Sequence, residues 1–422
     1  MGMTITEKIL ARAAGIRVCK PGETVEVDVD RIWLCDPLAT RLSHLFEGFE
    51  ELGVTRVLDP AKVVAMIEHG TPPGTVERAE DALALRCFAR SQGILFYEMG
   101  RTGIGHQVMI EKGHVRPGEV ILAADSHTCT YGAFGAFSTS IGLIEVEGVL
   151  LYGKTWFEVP ASVKFVIEGT LPDMVVGKDI VLRILSELGA GVATDKAAEF
   201  AGPTIEGMSI DSRLSMANLG IEMAALNAIM APNDATIDFV KSRTIEEFRV
   251  VQSDPDADYE HVYFLDVAKM APYIAFPYAP SNGRPVREAE GIRIDQAFIG
   301  SCCNGRLEDL RMAARVLKGR KVDPGVRLIV IPASQEIYGR CLEEGLLRVF
   351  LDAEAVICTP SCGPCGGMDK GLLARGEVGI ASSPRNFKGR QGHPESETYL
   401  GNAATVAAAA VAGHIVDPRE FA

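Results

Sequence analysis

Short aliphatic runs alternate with longer mixed stretches along this chain. Glu119-Val-Ile-Leu-Ala-Ala124 and Val326-Arg-Leu-Ile-Val-Ile331 have the length and apolar content of strands buried inside a sheet. Gln296–Ile299 and Ala355-Val-Ile-Cys358 read as shorter strands of the same kind. Leu307–Leu317 and Gln335–Glu344 are helix-like, and Thr4 and Thr6 can cap a first helix over Thr6–Ala14. This alternation predicts an α/β protein with largely parallel sheets.

Punctuation divides the pattern. Near Pro160 a glycine-rich region gives way to Ala161–Ile167, and Pro277–Arg287 contains the turn-rich linker sequence YAPSNGRP. Three modules are expected, 1–160, 161–283 and 284–422, a division that suits 422 residues. Apolar residues at 47% and charged residues at 23% exclude a disordered or collagen-like chain. The net charge of −14 argues against a nucleic-acid partner, which needs a positive surface. The longest apolar run, Ala403–Gly413, is too short to span a bilayer, and the first ten residues hold no apolar signal core. A cytoplasmic chain with no membrane partner is expected.

In that setting the ten cysteines are expected as free thiols. Six of them lie between 302 and 365, which points to a metal or redox site. Cys362-Gly-Pro-Cys365 follows a strand, as a thioredoxin-type pair does, but Ser361 stands where a tryptophan is usual. Cys358, Cys362 and Cys365 have the C-x3-C-x2-C spacing of a radical-enzyme cluster loop, but little chain follows to build the barrel. A zinc site would need a fourth ligand such as Cys302, Cys303 or His393. An iron–sulfur cluster gains support from a second strand-end loop, Gly300-Ser-Cys-Cys-Asn-Gly-Arg306. One cysteine from that loop and two from the later one could hold three irons, leaving one open as a Lewis acid. Cys19, Cys87, Cys341 and Cys358 read as buried small hydrophobes. Gly363 and Pro364 suggest an exposed loop around Cys362 and Cys365.

Five motifs recur in order: Gly103-Ile-Gly-His-Gln107, Ala124-Asp-Ser-His-Thr-Cys-Thr-Tyr-Gly132, Gly300-Ser-Cys302, Cys362-Gly-Pro-Cys365 and Arg385-Asn-Phe-Lys-Gly-Arg390. Together they resemble the aconitase superfamily, most nearly its branch of isopropylmalate dehydratase and homoaconitase large subunits. The resemblance implies three α/β/α domains around one [4Fe–4S] cluster. Cys302, Cys362 and Cys365 would be its ligands, with one iron not held by protein. It implies a hydro-lyase that reversibly dehydrates a small hydroxy dicarboxylate. Arg385 and Arg390 would clamp the carboxylates, with Ser126, Asp36 and Asn218 also binding substrate. His106, Asp125 and His127, with Glu68 and His69, would handle the departing hydroxyl, and Glu222 would pair with a histidine.

Single-chain members of the superfamily continue into a swivelling domain that supplies a base serine and a further arginine. This chain is therefore expected to work with a separate small subunit carrying both. Cys35, Glu68, Cys303 and Pro384 depart from the family pattern, in motifs expected to face substrate. The default reaction is the interconversion of 3- and 2-isopropylmalate in leucine biosynthesis. The same chemistry on 2,3-dimethylmalate, citramalate, maleate or homocitrate is the alternative, and a non-catalytic binding or regulatory homologue is a further one.

Overall fold

The computed structural model describes residues 2–36, 49, 51 and 53–421. Gln296–Ile299 and Leu307–Leu317 form a strand and a helix at their predicted bounds. Val120–Ala123, Arg327–Val330 and Val356–Ile357 lie inside the predicted strand runs. The first helix is Ile5–Ala13, and Thr4 rather than Thr6 caps it. The Thr4 hydroxyl accepts the Glu7 N–H, and the Glu7 carboxylate accepts the Thr4 N–H.

The chain forms two compact units. The first comprises Met1–Ile167, Ala193–Ile210 and Ala224–Leu265. It carries a five-stranded parallel sheet of β2 (Arg31–Cys35), β3 (Val63–Met66), β4 (Leu95–Tyr97), β5 (Val120–Ala123) and β6 (Phe137–Ser140). Every residue of β2, β3 and β5 is buried, as expected where both faces of a parallel sheet are covered. The strand order is β4-β3-β2-β5-β6. The chain runs outward from β2 to β4, then returns to the other side of β2. That reversal opens a crevice at the carboxyl ends of β2 and β5. This unit also forms an antiparallel ribbon of β1 (Thr24–Asp28) with β7 (Lys154–Glu158). It contributes nearly all of a four-stranded sheet of β8 (Ser162–Glu168), β9 (Ala197–Ala201), β10 (Asn227–Met230) and β11 (His261–Asp266).

The second unit comprises Glu168–Val192, Asp211–Met223 and Asp266–Ala422. Its seven-stranded sheet has the order β13-β12-β18-β17-β14-β15-β16. These strands are β12 (Tyr273–Ala275), β13 (Gly283–Pro285), β14 (Gln296–Ile299), β15 (Arg327–Val330), β16 (Val356–Ile357), β17 (Val378–Ala381) and β18 (Glu397–Leu400). The turn-rich segment 277–287 is not a free linker: it closes the antiparallel β12–β13 hairpin. Strands β14 to β18 are mutually parallel. The chain leaves β14 for β15 and β16, then returns to the other side for β17 and β18. The second crevice therefore lies at the carboxyl ends of β14 and β17. The alanine-rich run forms a buried helix, Ala403–Ala412, whose small side chains allow close approach to the sheet. Among the described residues, no helix is long and apolar enough to cross a membrane.

Candidate active site

In the first unit the strand ends deliver a buried cluster of carboxylates and imidazoles. Cys35 closes β2 and Asp36 follows it; Glu68 and His69 follow β3; Asp125, Ser126 and His127 follow β5. His106 comes from the helix Gly105–Glu111. Asp125 is the hub. Its Oδ1 lies 3.0 Å from His106 Nε2 and accepts the His127 N–H at 2.8 Å. Its Oδ2 lies 3.7 Å from His69 Nε2. Burial opposes the charge on Asp125, yet His106, His127 and His69 together hold its carboxyl well below the usual range. Trp33 meets the His106 ring edge-on at a centroid distance of 5.3 Å, and Tyr131 stacks on it at 6.2 Å. This packing restricts the imidazole to one orientation.

Asp36 is a structural anchor of the same cluster. It accepts the backbone N–H groups of Glu68 at 2.9 Å, His69 at 3.0 Å and Gly70 at 3.3 Å. Burial raises its pKa, but His69 and these amides outweigh that and hold it at about 2. The buried Glu68 carboxylate accepts the Gly105 N–H through Oε2. Ser126 Oγ lies 3.3 Å from His127 Nδ1. His114 belongs elsewhere: its Nε2 is 2.8 Å from the Tyr97 hydroxyl, and burial pushes its pKa down to about 4.

In the second unit the predicted thiols and guanidinium groups share one sheet edge. Cys302 lies just after β14, in a short turn entered through Ser301. Ser301 has φ +78°, a left-handed conformation that costs a residue with a side chain about 1–3 kcal/mol. Ser382, after β17, braces this turn: its Oγ accepts the Gly300 N–H at 2.9 Å and lies 3.1 Å from Asn304 O. A Cβ on Gly300 would come within 2.7 Å of the Phe298 ring, so the close approach there requires glycine. Cys362 and Cys365 follow β16 in the turn Gly363–Gly366.

That turn is not the exposed loop expected. Cys365, Gly363 and Pro364 are buried, and Cys362 is half-buried. Burial pushes the Cys365 thiol up to about 12; Cys362 adds to the rise, and Arg390 and Arg385 oppose it. A pair of thiols beside arginines, one buried and one half-buried, suits a metal–sulfur ligand set, because a bound cationic centre replaces the thiol protons. Cys362 and Cys365 therefore suit an iron–sulfur cluster, and Cys302, buried after β14 of the same sheet, is the expected third ligand. Cys303, the departure beside the first of them, is fully buried with Sγ 3.4 Å from Ser215 Oγ.

Arg390 Nε donates to Cys365 O at 2.9 Å. Arg385 Nε donates to Glu222 Oε1 at 2.6 Å, so the carboxylate expected to pair with a histidine pairs with an arginine. Asn218, at the end of the helix Ile210–Asn218, is fully buried. Of the thiols read as buried, Cys19 and Cys341 are so, Cys358 is half-buried, and Cys87 is exposed on the helix Val76–Gln92.

Two supporting residues were not found by motif. Lys178 is fully buried, and its Nζ donates to Ser382 O at 2.8 Å and Ser383 O at 2.7 Å. Gln391 Nε2 donates to Ser383 Oγ at 2.6 Å and to Arg385 O at 3.1 Å. Both hold the backbone of the arginine loop. The sequence signal for Lys178 is slight, because it stands beside Asp179 at the start of a helix, Gly177–Leu188, that also carries Arg183 and Glu187.

Comparison with known proteins places the chain among relatives. Residues 62–413 match the family described as Aconitase family (aconitate hydratase). The 3-isopropylmalate dehydratase large subunit 1 of Methanopyrus kandleri is 47% identical over 424 residues, 100% of both chains. The 3-isopropylmalate dehydratase large subunit of Moorella thermoacetica is 46% identical over 421 residues, covering 100% of this chain and 99% of that one. Aconitase X of Thermococcus kodakaraensis, in a crystal structure of its holo-form, matches with a TM-score of 0.51 at 12% identity. The match covers 86% of this chain and 84% of that one, and it concerns the fold alone.

Proposed function

The chain belongs to the aconitase family, and from that premise we propose that it is the large, cluster-binding subunit of a hydro-lyase that interconverts 3- and 2-isopropylmalate. The observation that carries this reading is the shared sheet edge of the second unit, where Cys365 has Cys362, Arg390 and Arg385 as electrostatic neighbours. Sulfur ligands beside guanidinium groups suit a cofactor that acts on a carboxylate substrate. The substrate assignment draws on the relatives named 3-isopropylmalate dehydratase large subunit. Their name also supports a small partner subunit, which in this proposal supplies the base serine and a further arginine. The reading keeps three α/β/α domains, with the five-, four- and seven-stranded sheets of the four as their cores, and takes the enzyme as cytoplasmic.

Cys302, Cys362 and Cys365 would hold a [4Fe–4S] cluster with one iron free of protein ligands. When bound, the cluster supplies a Lewis acid for polarising a hydroxyl. Arg390, steadied through Nε by the Cys365 carbonyl, and Arg385, steadied by Glu222, orient the carboxylates of the substrate. His106, held by Asp125, gives or takes the proton of the leaving hydroxyl, with His69 as the second imidazole on the same carboxylate. Trp33 and Tyr131 keep bulk water from the His106 ring. Ser126 and Asn218 complete the proposed substrate-binding set, and Asp36 serves it through the Glu68–Gly70 backbone that it anchors.

The test is anaerobic purification of the chain alone and with a small subunit co-expressed. The expected result is cluster absorption in both, lost on Cys362→Ser, with turnover of isopropylmalate only when the small subunit is present. Turnover by the chain alone, or no cluster signal after reconstitution, overturns the reading. Assaying dimethylmalate, citramalate, maleate and homocitrate in parallel tests the substrate.

A further inference from the structure

A second donor set lies at the sheet edge of the first unit and shares no residue with the cysteine loops. β2 and β3 are paired in parallel with Cys35 opposite Met66, so Cys35 and the residues just beyond β3 meet at one edge. One ligand atom each from Cys35, Glu68 and His69 can be chosen so that all lie within 4.8 Å of one another. Cys35 is 3% exposed and Glu68 is 0% exposed. We propose that Cys35, Glu68 and His69 form a binding site for one thiophilic divalent cation of the zinc class.

Four features support this assignment. Thiolate, imidazole and carboxylate are the donors that zinc takes, and three of them leave a fourth position for water. Glu68 Oε1 is buried and accepts no hydrogen bond among the described residues; its ionic neighbour is His69 Nδ1 at 3.3 Å. The opposite face of that imidazole, Nε2, looks at Asp125 Oδ2 at 3.7 Å. A carboxylate behind a histidine whose other nitrogen faces a donor set is the arrangement that orients metal-binding imidazoles. Asp36 is already occupied by three backbone amides and stays outside the set.

Coordination requires the Cys35 thiol to give up its proton to solvent as the sulfur–metal bond forms. The S–H bond breaks as the sulfur–metal bond forms, so metal uptake releases one proton. Ligand bonds of about 2.0–2.3 Å set tetrahedral donors about 3.5 Å apart, close to the 3.3 Å already between His69 Nδ1 and Glu68 Oε1. The site stands on these residues alone. Its consequence for turnover rests on the proposed function: an imidazole committed to a cation no longer moves a proton, so zinc would inhibit reversibly.

The test uses the full chain carrying Cys302→Ser, Cys362→Ser and Cys365→Ser, which removes the proposed cluster ligands. It is titrated anaerobically with Co2+ and followed by absorption. The expected result is one equivalent of Co2+ bound with a thiolate-to-cobalt charge-transfer band, and displacement by Zn2+. Adding Cys35→Ser abolishes the band, and adding Glu68→Gln keeps it but weakens binding about tenfold or more. X-ray absorption of the zinc-loaded chain is expected to show one sulfur among nitrogen and oxygen ligands, independent of any change at Cys35. A shell without sulfur, no thiolate band, or a band that survives Cys35→Ser overturns the site. None of these readouts uses activity, so failure here leaves the proposed function standing.

Discussion

Lys178→Met tests how the arginine loop is held. Lys178 Nζ donates to the carbonyls of Ser382 and Ser383, which begin the loop that carries Arg385 and Arg390. Methionine keeps the length and the apolar stem but removes both donors. Each buried carbonyl left without a partner costs about 1–3 kcal/mol, so the gross loss is about 2–6 kcal/mol. Removing a buried polar head recovers part of its desolvation cost, leaving a net local loss of about 2–3 kcal/mol. At tenfold per about 1.4 kcal/mol, the loop opens about 30–140 times more often. Hydrogen exchange followed by mass spectrometry reads this directly. Peptides spanning 382–391, where Arg390 N donates to Phe387 O and Ser382 N donates to Phe298 O, are expected to exchange faster by that factor. Amides within β14 should keep their rates. Unchanged exchange in 382–391 would refute the idea that Lys178 holds this loop.

Three further outcomes are expected. Asp125→Asn removes the charge that orients His106 and should lower turnover about 10²–10⁴-fold with circular dichroism unchanged; a loss below tenfold would count against its role. Gly300→Ala places a methyl within 2.7 Å of the Phe298 ring and 3.0 Å of Ile331 O, and should destabilise the second unit by about 1–3 kcal/mol, read as a lower melting temperature. Asp36, held at about 2 against an ordinary 3.8, contributes stability that is full above pH 3.8 and is lost as pH falls through 2. The effect is about 2 kcal/mol, with about half gone by pH 3. The stability gap between the wild-type chain and Asp36→Asn should therefore narrow from pH 6 to pH 3, and a constant gap would contradict it.

Much of the fold was legible because strands covered on both faces must be apolar throughout. β5 stands out as an unbroken run for that reason, and β14 and β15 do so after their first residues, Gln296 and Arg327. The segment 277–287 misled because proline and glycine mark a turn whether it joins two domains or closes a hairpin within one sheet. Cys87 misled because one cysteine in a mixed helix does not reveal which face looks outward.

The site divides along the same physical line. The thiols, the two arginines and the His106–Asp125 pair sit in local motifs, all but His106, which opens a helix, in segments that follow a strand. Sequence alone determined these residue types and their strand-end positions. Which loops become neighbours depends on strand order, and strand order is set by crossovers that leave no trace in linear spacing. Tertiary structure alone decided that Glu222 meets Arg385. It alone decided that Lys178 reaches Ser382 across more than two hundred residues of chain, and that Cys35 lies beside Glu68 and His69. The arginine loop and the Cys365 turn are buried where a thiol or a carbonyl must find a partner or be penalised. Pairings enforced by desolvation take shape only once the sheets have brought those groups together.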